Sequence, residues 1–414
     1  MNPGGSNARA RPCRSPPSRA LQVGLLKPDF GVSGGFERVV DRVEATLRAD
    51  GHTVVRITVP VDGLARSPFG LDVPAEVWAQ VPEYFRYLAT LEAIERIDTR
   101  RFDVVLSTQP PSFANRHPRH LSLFFHHHRI FYDLEDVYLA AGFAADPALH
   151  RRAAAHVRRL DGPRLAAVAW FLAGSEAVRA RLARFGGIDR VGLYSAGVRG
   201  AGVGGAGDGR GRGAVLCVSR HEFPKRTELF VHAMKHLPER RGASVGDGGR
   251  LAWARAVDHR LSSPGADLDA VTAAELWCNT GLGAAPVPAR YPSNIAFLGR
   301  VDDAALARLY REAPCVVAPA YEEDYGLTAV EAMSHSVPVV VCRDGGGLAD
   351  LVDHEVDGLV VDPTGPAIAA AVERLLTDAD LRSALAAGAA ATAARMTWDR
   401  ADAQLRAGLA EVLR

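Results

Sequence analysis

The 414-residue sequence predicts an α/β protein with two domains, each built on a parallel sheet, that face each other across a cleft. One observation is an apolar run at 21–26, followed by a glycine-rich turn, a helical pattern at 36–49 and a second strand (GHTVVRITV). This order forms a βαβ unit, and such units build parallel sheets. Another is the segment 197–213, whose residues (GVRGAGVGGAGDGRGRG) include almost nothing able to pack. After it, the alternation of strands and helices restarts at 214–219.

The remaining elements continue this alternation in both halves of the chain. In the first half we predict further strands at 102–107, 121–125 and 167–173. In the second half we predict strands at 294–299, 315–319, 337–342 and 358–361, and helices at 303–312, 327–334 and 365–376. The result is two Rossmann-like domains, whose ligands are expected at the carboxyl ends of the strands, in the cleft.

The domain organisation follows from the same patterns. In chain order we predict a disordered tail, an N-terminal Rossmann-like domain, a glycine-rich linker, a C-terminal Rossmann-like domain and a final helix that packs back across the junction. Their ranges are 1–20, 21–196, 197–213, 214–392 and 393–414.

The stretch 239–293 admits two interpretations. Both SVGDGGRLAW and AELWCNTGLG read as a strand, a turn and the start of a helix. We favour the first, which leaves 260–290 as a loop-rich insertion.

Composition excludes several classes of protein. The formal net charge is +1, which argues against duplex DNA as a partner. No apolar run approaches the roughly 20 residues that span a bilayer, and the first twenty residues lack the apolar stretch of a secretion signal. Five scattered cysteines favour buried thiols in a reducing compartment over disulfides. The predicted location is therefore the cytoplasm.

Only three lysines occur, Lys27, Lys225 and Lys235, so each is a candidate for a specific role.

Two glutamates eight residues apart, Glu323 and Glu331, flank the predicted start of a helix at Leu327. The first lies on the loop that enters the helix, and the second lies on its second turn. A helix N-terminus offers free N–H groups that suit a phosphate, and carboxylates beside it suit the hydroxyls of a sugar or a ribose. A solvated acidic loop explains the spacing equally well, because Glu322 and Asp324 are acidic too.

Arg220 and Lys225 lie five residues apart on the loop after the strand AVLCV. Together a guanidinium fork and an ammonium group can neutralise a diphosphate and stabilise its departure. The alternative is an exposed basic turn.

With these residues the sequence resembles family 4 of the retaining glycosyltransferases, whose two-domain architecture is termed GT-B. The resemblance covers nearly all of the chain after residue 20 and rests on FLGRV at 297–301, EEDYGLTAVEAM at 322–333 and CRDGGGLADLV at 342–352. The Glu-x7-Glu signature of the family is similar to the glutamate pair, and its Arg and Lys are similar to the basic pair of the first C-terminal loop.

The resemblance implies a role for each residue of the donor site. Glu331 would hold the ribose hydroxyls and Glu323 the transferred sugar. The backbone amides near Gly326, Leu327 and Thr328 would lie beside the phosphates. The C-terminal domain would thus bind the nucleotide sugar, and the N-terminal domain would form the acceptor side.

In the N-terminal domain, Gly34 and Gly35 resemble the glycine pair of the family, where a bare backbone approaches the donor phosphate and the acceptor. Many relatives carry one histidine at the end of the strand LSLFF, with its carbonyl or ring facing the sugar, and the resemblance makes His126 this active-site histidine. The following His127 and His128 raise the alternative of a metal site. Three adjacent residues on an extended chain point in alternating directions, however, and rarely form one.

The expected activity is a retaining glycosyl transfer from a UDP- or GDP-linked sugar to a glycan, lipid-linked or small-molecule acceptor. The nucleotide sugar is a co-substrate, and no other cofactor is expected. No metal is expected either, since Asp267 and Asp269, spaced as Asp-x-Asp, follow no strand. A lipid-linked acceptor would bring the protein to the cytoplasmic face of a membrane. Two alternatives remain open: a nucleotide-sugar epimerase of similar fold, and a degenerate scaffold that binds nucleotide or carbohydrate.

Overall fold

The computed structural model describes residues 19–31, 34–198, 211–277 and 287–414. Most of the predicted tail and of the predicted linker, residues 1–18 and 199–210, lies outside the described residues, as do Cys13 and Cys278.

The N-terminal domain is a six-stranded parallel sheet with the strand order β2-β1-β3-β4-β5-β6. Its strands are β1 (Gln22–Asp29), β2 (Thr53–Pro60), β3 (Val104–Ser107), β4 (His120–Phe124), β5 (Trp170–Ala173) and β6 (Val191–Leu193). Its helices are α1 (Gly35–Ala49), α2 (Ala75–Gln80), α3 (Pro82–Glu95), α4 (Glu135–Ala140), α5 (Pro147–Ala167) and α6 (Glu176–Gly186).

The C-terminal domain is a second six-stranded parallel sheet, in the order β12-β11-β10-β7-β8-β9. Its strands are β7 (Val215–Val218), β8 (Gly242–Val245), β9 (Ile295–Gly299), β10 (Val316–Ala318), β11 (Val339–Cys342) and β12 (Gly358–Val361). The helices from here on are α7 (Thr227–Lys235), α8 (Leu251–Leu261), α9 (Ala273–Trp277), α10 (Asp303–Glu312), α11 (Leu327–Ser334), α12 (Gly347–Leu351), α13 (Gly365–Thr377), α14 (Ala379–Arg395) and α15 (Trp398–Leu413). The predicted fold class, two parallel α/β sheets, is confirmed.

Local chemistry explains why the helices begin where they do. The side chain of Asp302 accepts a hydrogen bond of 2.7 Å from the N–H of Ala305 and caps α10. Thr364 caps α13 in the same way through Ala367. These caps are short-range signals, which is why sequence patterns locate such helices well.

The predicted boundaries fail where a helix runs further than its pattern. The strand predicted from residue 167 begins only at Trp170, because α5 continues to Ala167 with Pro163 inside it. The boundary placed at residue 393 falls inside α14, and α15 starts at Trp398. The edge strand β6 was not predicted; only three residues long, it carries little periodic signal.

The favoured interpretation of the stretch 239–293 is correct. SVGDGGRLAW supplies the end of β8 and the start of α8. The alternative segment contributes only the five-residue helix α9 among the described residues. Lys235 at the end of α7 is buried and forms an ion pair with the buried Asp258 of α8, so this lysine joins two helices of the C-terminal domain.

Helix α15 returns to the N-terminal domain. Its residues Leu405 and Leu409 are buried in the same apolar cluster as Val23 and Leu25 of β1. Asp402 accepts hydrogen bonds from Arg42 and Thr46 of α1. Helix α15, which follows the C-terminal domain in the chain, therefore packs on the N-terminal domain and links the two domains.

Candidate active site

The site begins at the N-terminus of α11, on the side of the C-terminal sheet that faces the N-terminal domain. Gly326 precedes this helix with φ +92°, and a Cβ at this position would lie 2.7 Å from Cδ1 of the buried Leu348. The chain therefore needs glycine here both for its backbone conformation and for space. The first N–H groups of the helix, at Leu327 and Thr328, have no partner within the helix. This is the geometry that binds a phosphate.

Glu323 and Lys225 form an ion pair, which joins the loop before α11 to the loop after β7. Burial raises the pKa of Glu323, but the charges of Lys225 and Arg129 lower it more, so the net shift is downward. The carboxylate is therefore ionised at neutral pH. Glu323, which the resemblance assigned to the sugar, and Lys225, which was predicted to bind the diphosphate, thus lie side by side.

Glu331 lies on the second turn of α11, as the sequence indicated. One carboxylate oxygen lies 3.3 Å from Nη2 of Arg38, which belongs to α1 of the other domain. The other accepts a hydrogen bond of 3.4 Å from the hydroxyl of the buried Tyr310. Burial raises the pKa of Glu331, and Arg38 and Tyr310 offset only part of that rise.

The glycine pair of the N-terminal domain faces this helix. A Cβ on Gly35 would lie 2.8 Å from Cδ1 of Leu327, so the start of α1 and the start of α11 are in contact. Gly34 precedes α1 with extended backbone. Phe36 packs edge-on against Phe125, with ring centroids 5.2 Å apart. That contact joins the glycine pair to the end of β4.

His126 lies two residues beyond β4, half-buried, with its Nδ1 2.7 Å from the carbonyl oxygen of His127. His127 itself is buried and stacks on Tyr132, and burial lowers its pKa to about 3. Burial also lowers the pKa of His128 to about 3. The three rings thus occupy different surroundings. No cluster of three or more metal-ligating side chains occurs within the described part of the chain.

Arg220 is exposed and makes no ion pair within the described ranges. It lies on the loop between β7 and α7, which packs against the loop after β8. A Cβ on Gly246 would lie 1.9 Å from the carbonyl oxygen of Ser219. Glycine is therefore required where these two loops meet. The exposed side chain of Arg220 lies beside this contact and is accessible to a ligand.

Sequence patterns missed the residues that hold these loops in place. Arg226 is buried, with its guanidinium paired to Asp344 at 2.6 and 2.9 Å. In the N-terminal domain, Arg129 and Arg181 contact the loop that carries Glu323. The only local sign of these contacts was a basic residue near an acidic one in the sequence, as with Arg129 and Asp133, which form an ion pair.

Two cavities of ≈ 380 and ≈ 280 Å³ lie elsewhere in the C-terminal domain. Residues of the insertion 260–277 line both, and neither is lined by Glu323, Glu331 or Lys225. The candidate site lies instead in the cleft, where Arg38 contacts Glu331 and Gly35 lies against Leu327.

Comparison with known proteins identifies the family to which part of the C-terminal domain is similar. Residues 289–392, which include the whole of α11, match the family model described as glycosyl transferases group 1. The chain carries a glycosyltransferase group 1 domain. A D-inositol 3-phosphate glycosyltransferase from Salinispora arenicola is 44% identical over 96 residues, which are 23% of this chain and 21% of that protein. The chain thus spans about a fifth of the length of the curated relatives that it matches.

Solved structures share the whole architecture at low sequence identity. A sucrose-phosphate synthase from Thermosynechococcus elongatus superimposes with a TM-score of 0.61 at 19% identity, covering 93% of this chain and 97% of that one. The Anabaena protein HepE in complex with UDP-glucose gives a TM-score of 0.60 at 16% identity, covering 94% and 99%. The predicted GT-B arrangement is confirmed. Within the described residues, no helix is long and apolar enough to cross a membrane.

Proposed function

We propose that the protein is a retaining glycosyltransferase that moves a sugar from a nucleotide-diphosphate sugar to an acceptor bound against the N-terminal domain. The ion pair between Glu323 and Lys225 beside the N-terminus of α11 carries this proposal. It combines a hydrogen-bond acceptor for sugar hydroxyls, a cation for phosphate and free backbone N–H groups in one place. The group 1 domain and the relatives named as glycosyltransferases support the same activity.

The donor would lie across the start of α11. Its diphosphate would meet the N–H groups of Leu327 and Thr328 together with Arg220 and Lys225. Charge develops on the leaving phosphate as the glycosidic bond breaks, and fixed cations and N–H groups stabilise it without a metal ion. In a retaining transfer, the departing phosphate would take the acceptor proton on the same face of the sugar.

Glu331 would accept hydrogen bonds from the ribose of the donor, and Glu323 would orient the transferred sugar. Gly34 and Gly35 would approach the donor phosphate and the acceptor, and His126 would face the transferred sugar. The complex of HepE with UDP-glucose supports a UDP-linked sugar as the first donor to try. A GDP-linked sugar is the second.

The acceptor would be a glycan, a lipid-linked sugar or a small molecule. D-inositol 3-phosphate, named for the Salinispora relative, is one small molecule to include in a test. With a lipid-linked acceptor, the protein would work at the cytoplasmic face of a membrane.

The test is a donor and acceptor panel in which release of nucleoside diphosphate is followed by chromatography. The expected result is release with one donor class, and a fall of about 100-fold or more in Glu323→Gln and in Lys225→Ala. Glu373→Gln is the matched control, because it removes a carboxylate paired with Arg240 outside the site. The anomeric configuration of the product, measured by NMR, tests retention.

Other outcomes would replace the proposal. Conversion of the donor into an epimeric nucleotide sugar without an acceptor would indicate an epimerase. Absence of release with every donor, together with sugar-nucleotide binding that Glu323→Gln leaves unchanged, would indicate a scaffold.

A further inference from the structure

Two arginines of the N-terminal domain bind the backbone on one side of Glu323. Arg129, which follows β4, donates a hydrogen bond of 2.6 Å to the carbonyl oxygen of Glu322. Arg181, in α6, donates a hydrogen bond of 2.6 Å to the same oxygen. The peptide group that leads into Glu323 is therefore held from the other domain by two charged donors.

The residue on the other side of Glu323 is held from the same domain. Arg181 forms an ion pair with the carboxylate of Asp324, and Arg129 lies 3.5 Å from the same oxygen. The hydroxyl of Ser175 donates a hydrogen bond of 2.5 Å to the Asp324 carbonyl oxygen. Glu323 thus lies between two residues that the N-terminal domain fixes in place.

The two arginines are themselves oriented by one buried carboxylate. Asp133 accepts hydrogen bonds from Arg129 at 2.5 and 3.0 Å and lies 3.4 Å from Nε of Arg181. The Asp133 side chain is 4% exposed and that of Arg181 is 7% exposed. Burial raises the pKa of Asp133, but the two arginines lower it more. Removing one partner of such a buried group leaves an uncompensated charge, so Asp133 and the two arginines depend on one another for their positions.

The held loop is in a conformation that it would not adopt readily alone. Glu322 has φ +47°, in the left-handed region that non-glycine residues avoid. Backbone of this kind persists when the surrounding contacts determine it, and it is concentrated at functional sites. Here the contacts come from both domains, since Glu322 also donates a 2.8 Å hydrogen bond from its N–H to the Asp344 carbonyl oxygen.

We propose that Arg129 and Arg181 are positioning residues that set the carboxylate of Glu323 for the sugar of the donor when the two domains meet. The inference rests on the proposed function and adds to it. It makes sugar recognition depend on domain closure, whereas the nucleotide would be held by groups that these arginines do not touch, namely Arg220, Lys225, Glu331 and the first N–H groups of α11. Closure would therefore discriminate a nucleotide sugar from the bare nucleotide.

The experiment compares Arg181→Gln with wild type for two ligands: the nucleoside diphosphate alone and the sugar nucleotide that the donor panel selects. The expected result is an unchanged affinity for the nucleotide, and a loss of about tenfold or more in affinity for the sugar nucleotide or in kcat. Arg181→Lys should not restore it, because Nη1 of the guanidinium contacts Asp324 while Nη2 contacts the Glu322 carbonyl, and the single nitrogen of lysine does not reproduce this rigid fork. Arg179→Gln is the control, since it removes an arginine of the same helix that pairs with Glu176 at 2.5 Å on the surface.

Equal losses of affinity for both ligands, or a variant whose sugar-nucleotide affinity and kcat both match those of wild type, would overturn the inference. If Arg181→Gln does not fold, as judged by its thermal transition, Asp324→Asn removes the same ion pair from the other side and is measured in the same way. If wild type binds no nucleotide at all, the proposed function fails. Failure of the inference alone looks different: wild type binds both ligands, and Arg181→Gln still distinguishes the sugar nucleotide from the bare nucleotide as wild type does.

Discussion

The guanidinium of Arg38 lies 3.3 Å from the carboxylate of Glu331, across the cleft between the two domains. The Arg38 side chain is 61% exposed, and ion pairs of such exposed residues contribute about 1 kcal/mol or less. A ribose could therefore displace Arg38 at little cost. In the structure Arg38 pairs with the charge of Glu331.

Removing Arg38 should change the pH dependence of nucleotide binding. Burial raises the pKa of Glu331 and Arg38 lowers it, so Arg38→Ala should raise that pKa further. Because an ionised carboxylate accepts the hydrogen bonds of a ribose more strongly than a neutral carboxyl group does, binding by the variant should weaken at a higher pH than binding by wild type as the pH falls. Calorimetric titration between about pH 4.5 and 8 measures both midpoints. Arg48→Ala, which removes a surface arginine of the same helix paired with Glu44, should leave the midpoint in place. A midpoint shared by all three proteins would contradict the role of Glu331.

The contact between Gly35 and Leu327 predicts a size limit at the cleft. An alanine at position 35 needs only Cδ1 of Leu327 to move, so Gly35→Ala should bind the donor nearly as wild type does. The branched side chain of valine needs more space than a shift of this one methyl group provides. Gly35→Val should therefore weaken donor binding about tenfold or more, while its unfolding midpoint stays close to that of wild type. Gly162→Val controls for valine in a helix, because nothing lies within 4 Å of a Cβ there. Equal donor affinities in Gly35→Val and wild type would show that the cleft does not close in this way.

Two glycines with similar φ separate backbone strain from crowding. Gly51 has φ +88° with open space around it, and Gly326 has φ +92° with the buried Leu348 at 2.7 Å from an added Cβ. Gly51→Ala should cost about 1 kcal/mol, from backbone strain alone. Gly326→Ala should cost about 1–3 kcal/mol more, because the core must shift as well. Urea unfolding gives both values, and equal costs would contradict the packing around the start of α11.

Asp161 predicts a pH dependence of stability. It is buried and accepts hydrogen bonds from Tyr87 at 2.8 Å and Tyr132 at 2.7 Å, yet burial raises its pKa to about 7. The folded state therefore holds a proton that the unfolded state has released. The stabilisation is complete below about pH 4 and is lost as the pH rises through about 7.

Asp161→Asn removes this titration. The variant should gain stability relative to wild type between about pH 5 and 7, by at most about 1.4 kcal/mol per pH unit. Urea unfolding at several pH values measures the gain, and the exposed Asp136→Asn is the control. A difference between Asp161→Asn and wild type that stays constant with pH would show that Asp161 is ionised throughout.

The elements of the donor side were predictable because their signals are local. Helix α11 begins and ends at the residues that the pattern gave, since Gly326 before it can adopt a positive φ and an apolar run follows. That boundary alone placed Glu323 on the loop and Glu331 on the second turn. Short-range chemistry of this kind is written in consecutive residues.

The contacts between the domains could not be read in the same way. Arg129 reaches a carbonyl 193 positions away along the chain, and Arg181 reaches one 141 positions away. Neither partner has a side-chain pattern that names the other, because a backbone carbonyl is present at every residue. The pair of Arg38 and Glu331 joins two side chains, but they lie far apart along the chain and neither has a local pattern that points to the other. Only the fold brings these groups together.

The most direct test of a donor site at the start of α11 is calorimetric titration of UDP, GDP and ADP into wild type and into Arg220→Ala. The account predicts that one nucleotide binds wild type, and that the variant binds it about tenfold or more weakly, because a charged donor to the diphosphate is lost. If no nucleotide binds wild type, or if Arg220→Ala binds as tightly as wild type does, the diphosphate does not lie where this account puts it.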